Sequence, residues 1–135
     1  MSLLYLDTCC IIYLVEAISP FHAAVIRRVM AHNVAPGAEI MSSRLARLEC
    51  RTKPRRESDA ALLSRYETFF TAQRFRIAEI SPAVIESATD LRAKYGFKTP
   101  DAIHLATAIV QRASTFLTGD AQLRRCSEIV VEVIT

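Results

Sequence analysis

The chain has 135 residues, 51% of them hydrophobic, which suits a single compact domain over residues 1–135 and excludes a disordered polymer. A net charge of +3 permits a nucleic-acid partner without arguing for one. No apolar run reaches membrane-spanning length and Met1-Ser2-Leu3-Leu4 carries no basic region, so no membrane association or secretion is expected and the chain is read as cytoplasmic.

Leu3 to Leu6 is a short apolar run without alternation, the pattern of a strand buried on both faces. Thr8 is placed to cap a helix running through Ile11, Ile12 and Leu14. Ser19-Pro20 reads as a cap and first-turn proline opening a helix with Phe21, Val25 and Val29 on one face. Pro36-Gly37 breaks the chain, and Ile40-Met41 is a second short strand. A helix from Ser43 to about Lys53 carries Glu49, and Pro54 is expected to end it. The next helix has Leu62, Leu63, Tyr66, Phe69 and Phe70 on its apolar face.

Arg76 to Ile80 alternates as a third strand does. Ser81-Pro82 repeats the cap-and-proline start, Val84, Ala88, Leu91 and Tyr95 form the buried stripe of that helix, and Gly96 stops it. Thr99-Pro100 is a third such start. Thr115–Thr118 and Ile129–Ile134 are the fourth and fifth strands, the last at or near the sheet edge. Strands separated by helical crossovers imply a three-layer α/β/α fold with a parallel sheet.

Four acids stand in contexts that would bring them together. Asp7 and Asp120 each follow a buried strand, where parallel sheets bind ligands. Asp101 lies in a first helical turn, where the helix dipole favours a carboxylate, and Glu49 sits two turns into its helix with a longer reach. Clustered carboxylates repel unless a cation neutralises them, which makes a Mg²⁺ or Mn²⁺ site the leading idea. Singly, each acid has an ordinary alternative. Asp101 could be a helix-terminal charge, Asp120 a turn residue after Gly119, Glu49 a partner of Arg47 or Arg51, and Asp7 a cap.

Three segments then stand out: Leu6-Asp7-Thr8, Ser43 through Glu49-Cys50, and Phe116-Leu117-Thr118-Gly119-Asp120. With the run Lys98-Thr99-Pro100-Asp101-Ala102-Ile103-His104-Leu105-Ala106-Thr107-Ala108, they resemble the PIN-domain nucleases, specifically VapC-type toxins of toxin–antitoxin pairs. The Thr-Pro-Asp-Ala-Ile-His-Leu-Ala-Thr-Ala run is the most specific element. The resemblance implies a five-stranded parallel sheet, a Mg²⁺- or Mn²⁺-dependent endoribonuclease, a homodimer, and neutralisation by a small antitoxin. Asp7, Glu49, Asp101 and Asp120 would be the catalytic and metal-binding acids, and Thr118 would orient a phosphate or water, or be a satisfied strand-end hydroxyl. The chain departs from some relatives in having Gln122 two residues after the last Asp, and Arg44 and Ala46 where an acid and a hydroxyl are frequent.

Arg44, Arg47 and Arg51 follow i, i+3, i+7 spacing; they form either a solvated helix face or one that holds RNA phosphates beside Glu49. His104, three residues after Asp101, is a ligand or proton donor, or more ordinarily a pocket-edge residue with one hydrogen bond. Cys9, Cys10, Cys50 and Cys126 form no CxxC pair and are read as reduced. Two other functions use the same acids: a non-catalytic module holding a basic peptide, and a Mg²⁺-dependent phosphatase. The phosphatase needs an acid two residues after its nucleophilic Asp, where this chain has Cys9. The two helices around Pro54 could also clamp an antitoxin helix.

Overall fold

The computed structural model describes residues 2–135. Five parallel strands form one sheet in the order β3-β2-β1-β4-β5: β1 (Leu3–Leu6), β2 (Glu39–Ser43), β3 (Phe75–Ala78), β4 (Thr115–Thr118) and β5 (Val131–Val133). All four residues of β1 are buried, as its unbroken apolar run requires of a central strand.

Alternation along β1 divides the core. Leu4 and Leu6 pack under α1 (Thr8–Val15), α2 (Phe21–His32), α3 (Arg44–Arg56) and α4 (Ala60–Phe70). Leu3 and Tyr5 pack under α5 (Pro82–Tyr95) and α6 (Thr99–Val110). The three-layer α/β/α architecture follows. Because β2 lies on one side of β1 and β4 on the other, the winding reverses between β1 and β4, and a crevice opens beyond their carboxyl ends.

Several local expectations are corrected. Helix α1 is capped by Asp7, whose carboxylate accepts from the Thr8 amide at 2.9 Å; Thr8 is the first helical residue. Pro20, not Ser19, occupies the cap position of α2, with no side-chain cap bond. Lys98 rather than Thr99 precedes α6, which puts Asp101 at its third residue.

Pro54 does not end α3 but lies buried within it. A proline forfeits one backbone hydrogen bond, and burial of its ring offsets that loss. Its carbonyl accepts from the Asp59 amide at 2.8 Å, tying the end of α3 to the start of α4. Strand β3 stops at Ala78 because its partner Ser43 is the last residue of β2 before α3 begins, so Glu79 and Ile80 leave the sheet. For the same reason β5 is confined to Val131–Val133, opposite Phe116–Thr118. The Ser81 cap, Pro82 in the first turn and Gly96 in the left-handed region stand as expected.

Candidate active site

The site grows from the ends of β1 and β4. The Asp7 amide donates to the Leu117 carbonyl at 2.9 Å, carrying the strand pairing one step past β1. This places the Asp7 side chain beside Thr118, whose hydroxyl donates to Asp7 Oδ2 at 2.7 Å. Thr118 Oγ1 in turn accepts from the Asp120 amide at 3.1 Å, fixing the chain as it leaves the sheet. Asp120 Oδ1 caps the short 3-10 helix Ala121–Arg125 by accepting from the Gln122 amide at 2.9 Å. Asp7 is 8% exposed and among the described residues pairs with no Lys or Arg; His104 Nε2 lies 4.0 Å away. An ionised carboxylate this buried needs hydrogen bonds or a cation to offset its lost hydration.

Helix α3 supplies Glu49. Its Oε1 accepts from the Thr8 hydroxyl at 2.7 Å and lies 2.7 Å from His104 Nε2. Burial pushes the Glu49 carboxyl up, but the hydrogen bonds from His104 and Thr8 outweigh it, leaving the acid below the usual carboxylate range. Thr8, freed from capping, is thus the link between α1 and α3. His104 is not a pocket-edge residue with one bond: it is 1% exposed, and its Nδ1 also meets the Tyr5 hydroxyl at 2.7 Å.

Helix α6 and the cap of the 3-10 helix bring Asp101 and Asp120 to one cleft of about 230 Å³, which Lys98, Gln122 and Arg125 also line. Half-burial is the main reason the Asp101 carboxyl is held above its ordinary range. Asp7 and Asp120 are the next contributors, and Glu49 adds to them against His104. All four acids and Thr118 therefore occupy one corner of the molecule.

A divalent cation fits this corner by the chemistry of its donors: the side chains are hard carboxylate oxygens, and Asp101 bears a repulsion that a cation would relieve. Among the described residues, no three acid, His or Cys side chains already stand close enough together to enclose an ion.

The arginines behave differently from the acids. Arg47 turns toward α4, where it pairs with Glu67 at 3.0 Å and lies over the Phe70 ring at 5.2 Å, so it does not share a solvent face with Arg44 and Arg51. Arg44, Arg51 and Arg55 line a separate hollow of about 400 Å³ with Leu48 and Ile80, to which none of the four acids contributes. Arg44 also pairs with exposed Glu79. Sequence reasoning placed Thr8 wrongly and passed over Tyr5. The available signal was a tyrosine two residues before Asp7, on the same face of a strand otherwise made of leucine.

Residues 4–129 match the PIN domain family model. No curated protein matches the chain by sequence. Among solved structures, VapBC2 from Rickettsia felis bound to a promoter DNA fragment is similar at TM-score 0.81 and 16% identity, over 98% of this chain and 99% of that one. A toxin–antitoxin complex from Klebsiella pneumoniae gives 0.72 and 24%, over 96% of each chain. Mycobacterium tuberculosis VapC20, a sarcin–ricin-loop-cleaving toxin, gives 0.75 and 16%, over 98% and 99%. The matched span covers nearly the whole chain and includes Asp7, Glu49, Asp101 and Asp120: the chain belongs to the PIN-domain family.

Proposed function

We propose that this chain is a divalent-metal-dependent endoribonuclease of the VapC type, the cytoplasmic toxin of a toxin–antitoxin pair, folded as one domain over its 135 residues. The observation that carries the proposal is Asp101, a half-buried carboxyl held above its usual range beside Asp7 and Asp120, beyond the strand ends where the sheet's winding reverses. Membership of the PIN family, and likeness to structures described as toxins and toxin–antitoxin complexes, support it.

Asp7, Asp101, Asp120 and Glu49 would hold the Mg²⁺ or Mn²⁺. Bound there, the cation would neutralise the acids, acidify a water and stabilise charge on the phosphodiester. The chain's own residues do the positioning. Asp7 is fixed by the Thr8 amide and the Thr118 hydroxyl, so its carboxylate enters a reaction already oriented. Thr118 couples the ends of β1 and β4 and would hold the attacking water or a phosphate oxygen through the lone pair left on its hydroxyl. Lys98 and Arg125, which line the cleft with Asp101 and Asp120, would offset the charge of an entering phosphate. Arg44 and Arg51, on the outer side of α3, would hold RNA phosphates away from the cut, whereas Arg47 is engaged internally.

The partners follow from the same reading: an RNA substrate, a cognate antitoxin and a second copy of the chain. The α3–α4 pair joined through Pro54 is the proposed clamp for an antitoxin helix. Of that helix's apolar face, Tyr66 and Phe70 are buried in the core, so a complex that leaves Leu62, Leu63 and Phe69 untouched would remove that part.

The test is cleavage of a structured RNA pool by the antitoxin-free chain in Mg²⁺, Mn²⁺ or EDTA, with Asp7→Asn and Asp101→Asn as controls. The expected result is metal-dependent cutting lost in both variants. Cutting that survives both would remove the assignment. Folded, metal-bound protein that never cuts would favour a module that only binds a basic peptide.

A further inference from the structure

Behind Glu49 lies a buried polar relay that the proposed chemistry does not use. His104 projects from α6 toward the sheet, one turn after Asp101. Its ring is fixed by packing: Tyr5 meets it edge-on, with centroids 5.8 Å apart, and Tyr5 is itself stacked on Phe116 at 5.2 Å. Both ring nitrogens are engaged, Nδ1 by the Tyr5 hydroxyl at 2.7 Å and Nε2 by Glu49 Oε1 at 2.7 Å and Thr8 Oγ1 at 3.0 Å.

The acceptors fix the hydrogens. Glu49 is a carboxylate and has none to give, so the hydrogen between it and the ring belongs to Nε2. The Thr8 hydroxyl already donates to the same oxygen. In a neutral ring with its hydrogen on Nε2, Nδ1 is bare and accepts from the Tyr5 hydroxyl. Two donors converge on Oε1, while Oε2 has no protein partner among the described residues.

We infer that His104 is a positioning residue for Glu49: held by Tyr5 as the tautomer protonated on Nε2, it ties down Oε1 and leaves Oε2 as the oxygen that meets a cation or water. This rests on the acids forming a cation site. It gives Glu49 a one-oxygen role and makes Tyr5, on the central strand, part of the support of the site. A carboxylate held this way presents one fixed oxygen rather than a mobile pair, as outer-shell partners do for metal ligands.

Two measurements on the full metal-free chain test it. Long-range ¹H–¹⁵N correlation of the imidazoles should show His104 protonated at Nε2 and bare at Nδ1; a ring protonated at Nδ1 overturns the assignment. Mn²⁺ affinity is then compared in three variants. His104→Leu should weaken Mn²⁺ binding about tenfold, and His104→Gln, whose amide keeps a donor near Nε2, should stay within about threefold. If His104→Leu does not fold, Tyr5→Phe carries the comparison, with mixed tautomers and binding weakened about threefold. Affinities indifferent to these substitutions, with RNA cleavage intact, would overturn the positioning role alone. Affinities in the stated order without RNA cleavage in the wild-type chain would overturn the nuclease reading and leave His104's role in place.

Discussion

The two walls of the acidic corner are built on different terms. On the wall formed by Asp7, Thr118, Thr8, Glu49 and His104, the hydrogen bonds of 2.7 to 3.0 Å link five residues from four elements and the β1–α1 junction, and Glu49 titrates below its ordinary range. On the other, Asp101 and Asp120 line one cleft and the Asp101 carboxyl is held above its ordinary range, by burial first and by Asp7 and Asp120 next. The first wall is completed by the fold itself. The second holds a carboxyl raised by burial and by neighbouring acids, and the proposed cation would relieve that repulsion.

The largest effect should come from breaking the completed wall. Asp7→Asn keeps a capping acceptor for α1 and should fold normally while cleavage falls on the order of a hundredfold or more. Asp7→Ala should also destabilise the fold by about 2–4 kcal/mol, from the lost cap and the unpaired Thr118 hydroxyl. RNA turnover and denaturant unfolding of the two variants separate these losses. Equal stability in both variants would mean that Asp7 does not hold the strand ends.

Asp101→Asn should have the opposite signature. Cleavage is lost, yet the metal-free protein melts at a higher temperature, because a repelled, half-buried charge has been removed. A lower melting temperature would show that the charge is compensated within the protein.

The pH dependence of stability in EDTA sharpens the contrast between the walls. Asp101, raised in the folded state, contributes stability that is present at low pH and lost as pH rises through its raised value. Glu49, lowered in the folded state, contributes stability present above its ordinary value and lost as pH falls through its lowered one. Melting curves across pH should lose the first limb in Asp101→Asn and the second in Glu49→Gln. Profiles unchanged in both variants would contradict the electrostatic difference.

The smallest effects belong to the arginines. Arg51→Ala should weaken RNA binding severalfold and lower the salt slope by about 1. Arg47→Ala should instead cost about 1 kcal/mol of stability, from the lost Glu67 pair and Phe70 contact, with little change in RNA affinity. Filter binding over a salt series, alongside unfolding, tells them apart.

What the sequence revealed depended on how local the determinant was. The unbroken Leu3–Leu6 run, the Ser81-Pro82 start and the Gly96 stop are written within a few residues, and the fold obeys them. The positions of Asp7, Asp101 and Asp120 were legible for the same reason, since each is tied to the end of one element. Pro54 misled because the cost of an interior proline is local while its compensation, burial and the Asp59 bond, is not. Thr8 and His104 were misjudged because their partners are remote in sequence: 41 residues separate Thr8 from Glu49, and 99 separate Tyr5 from His104. The arginine spacing was read correctly as helical, but Glu67 and Phe70 of α4 draw Arg47 off the shared face and Glu79 draws Arg44.

The most direct test of the central claim is a Mn²⁺ titration of the metal-free chain followed by electron paramagnetic resonance, with wild type and Asp101→Asn side by side. Saturable binding in the wild type, weakened at least about tenfold in a variant that is itself more stable without metal, is the predicted result. Equal binding in both, or none in the wild type, would contradict the assignment of these acids to a divalent cation.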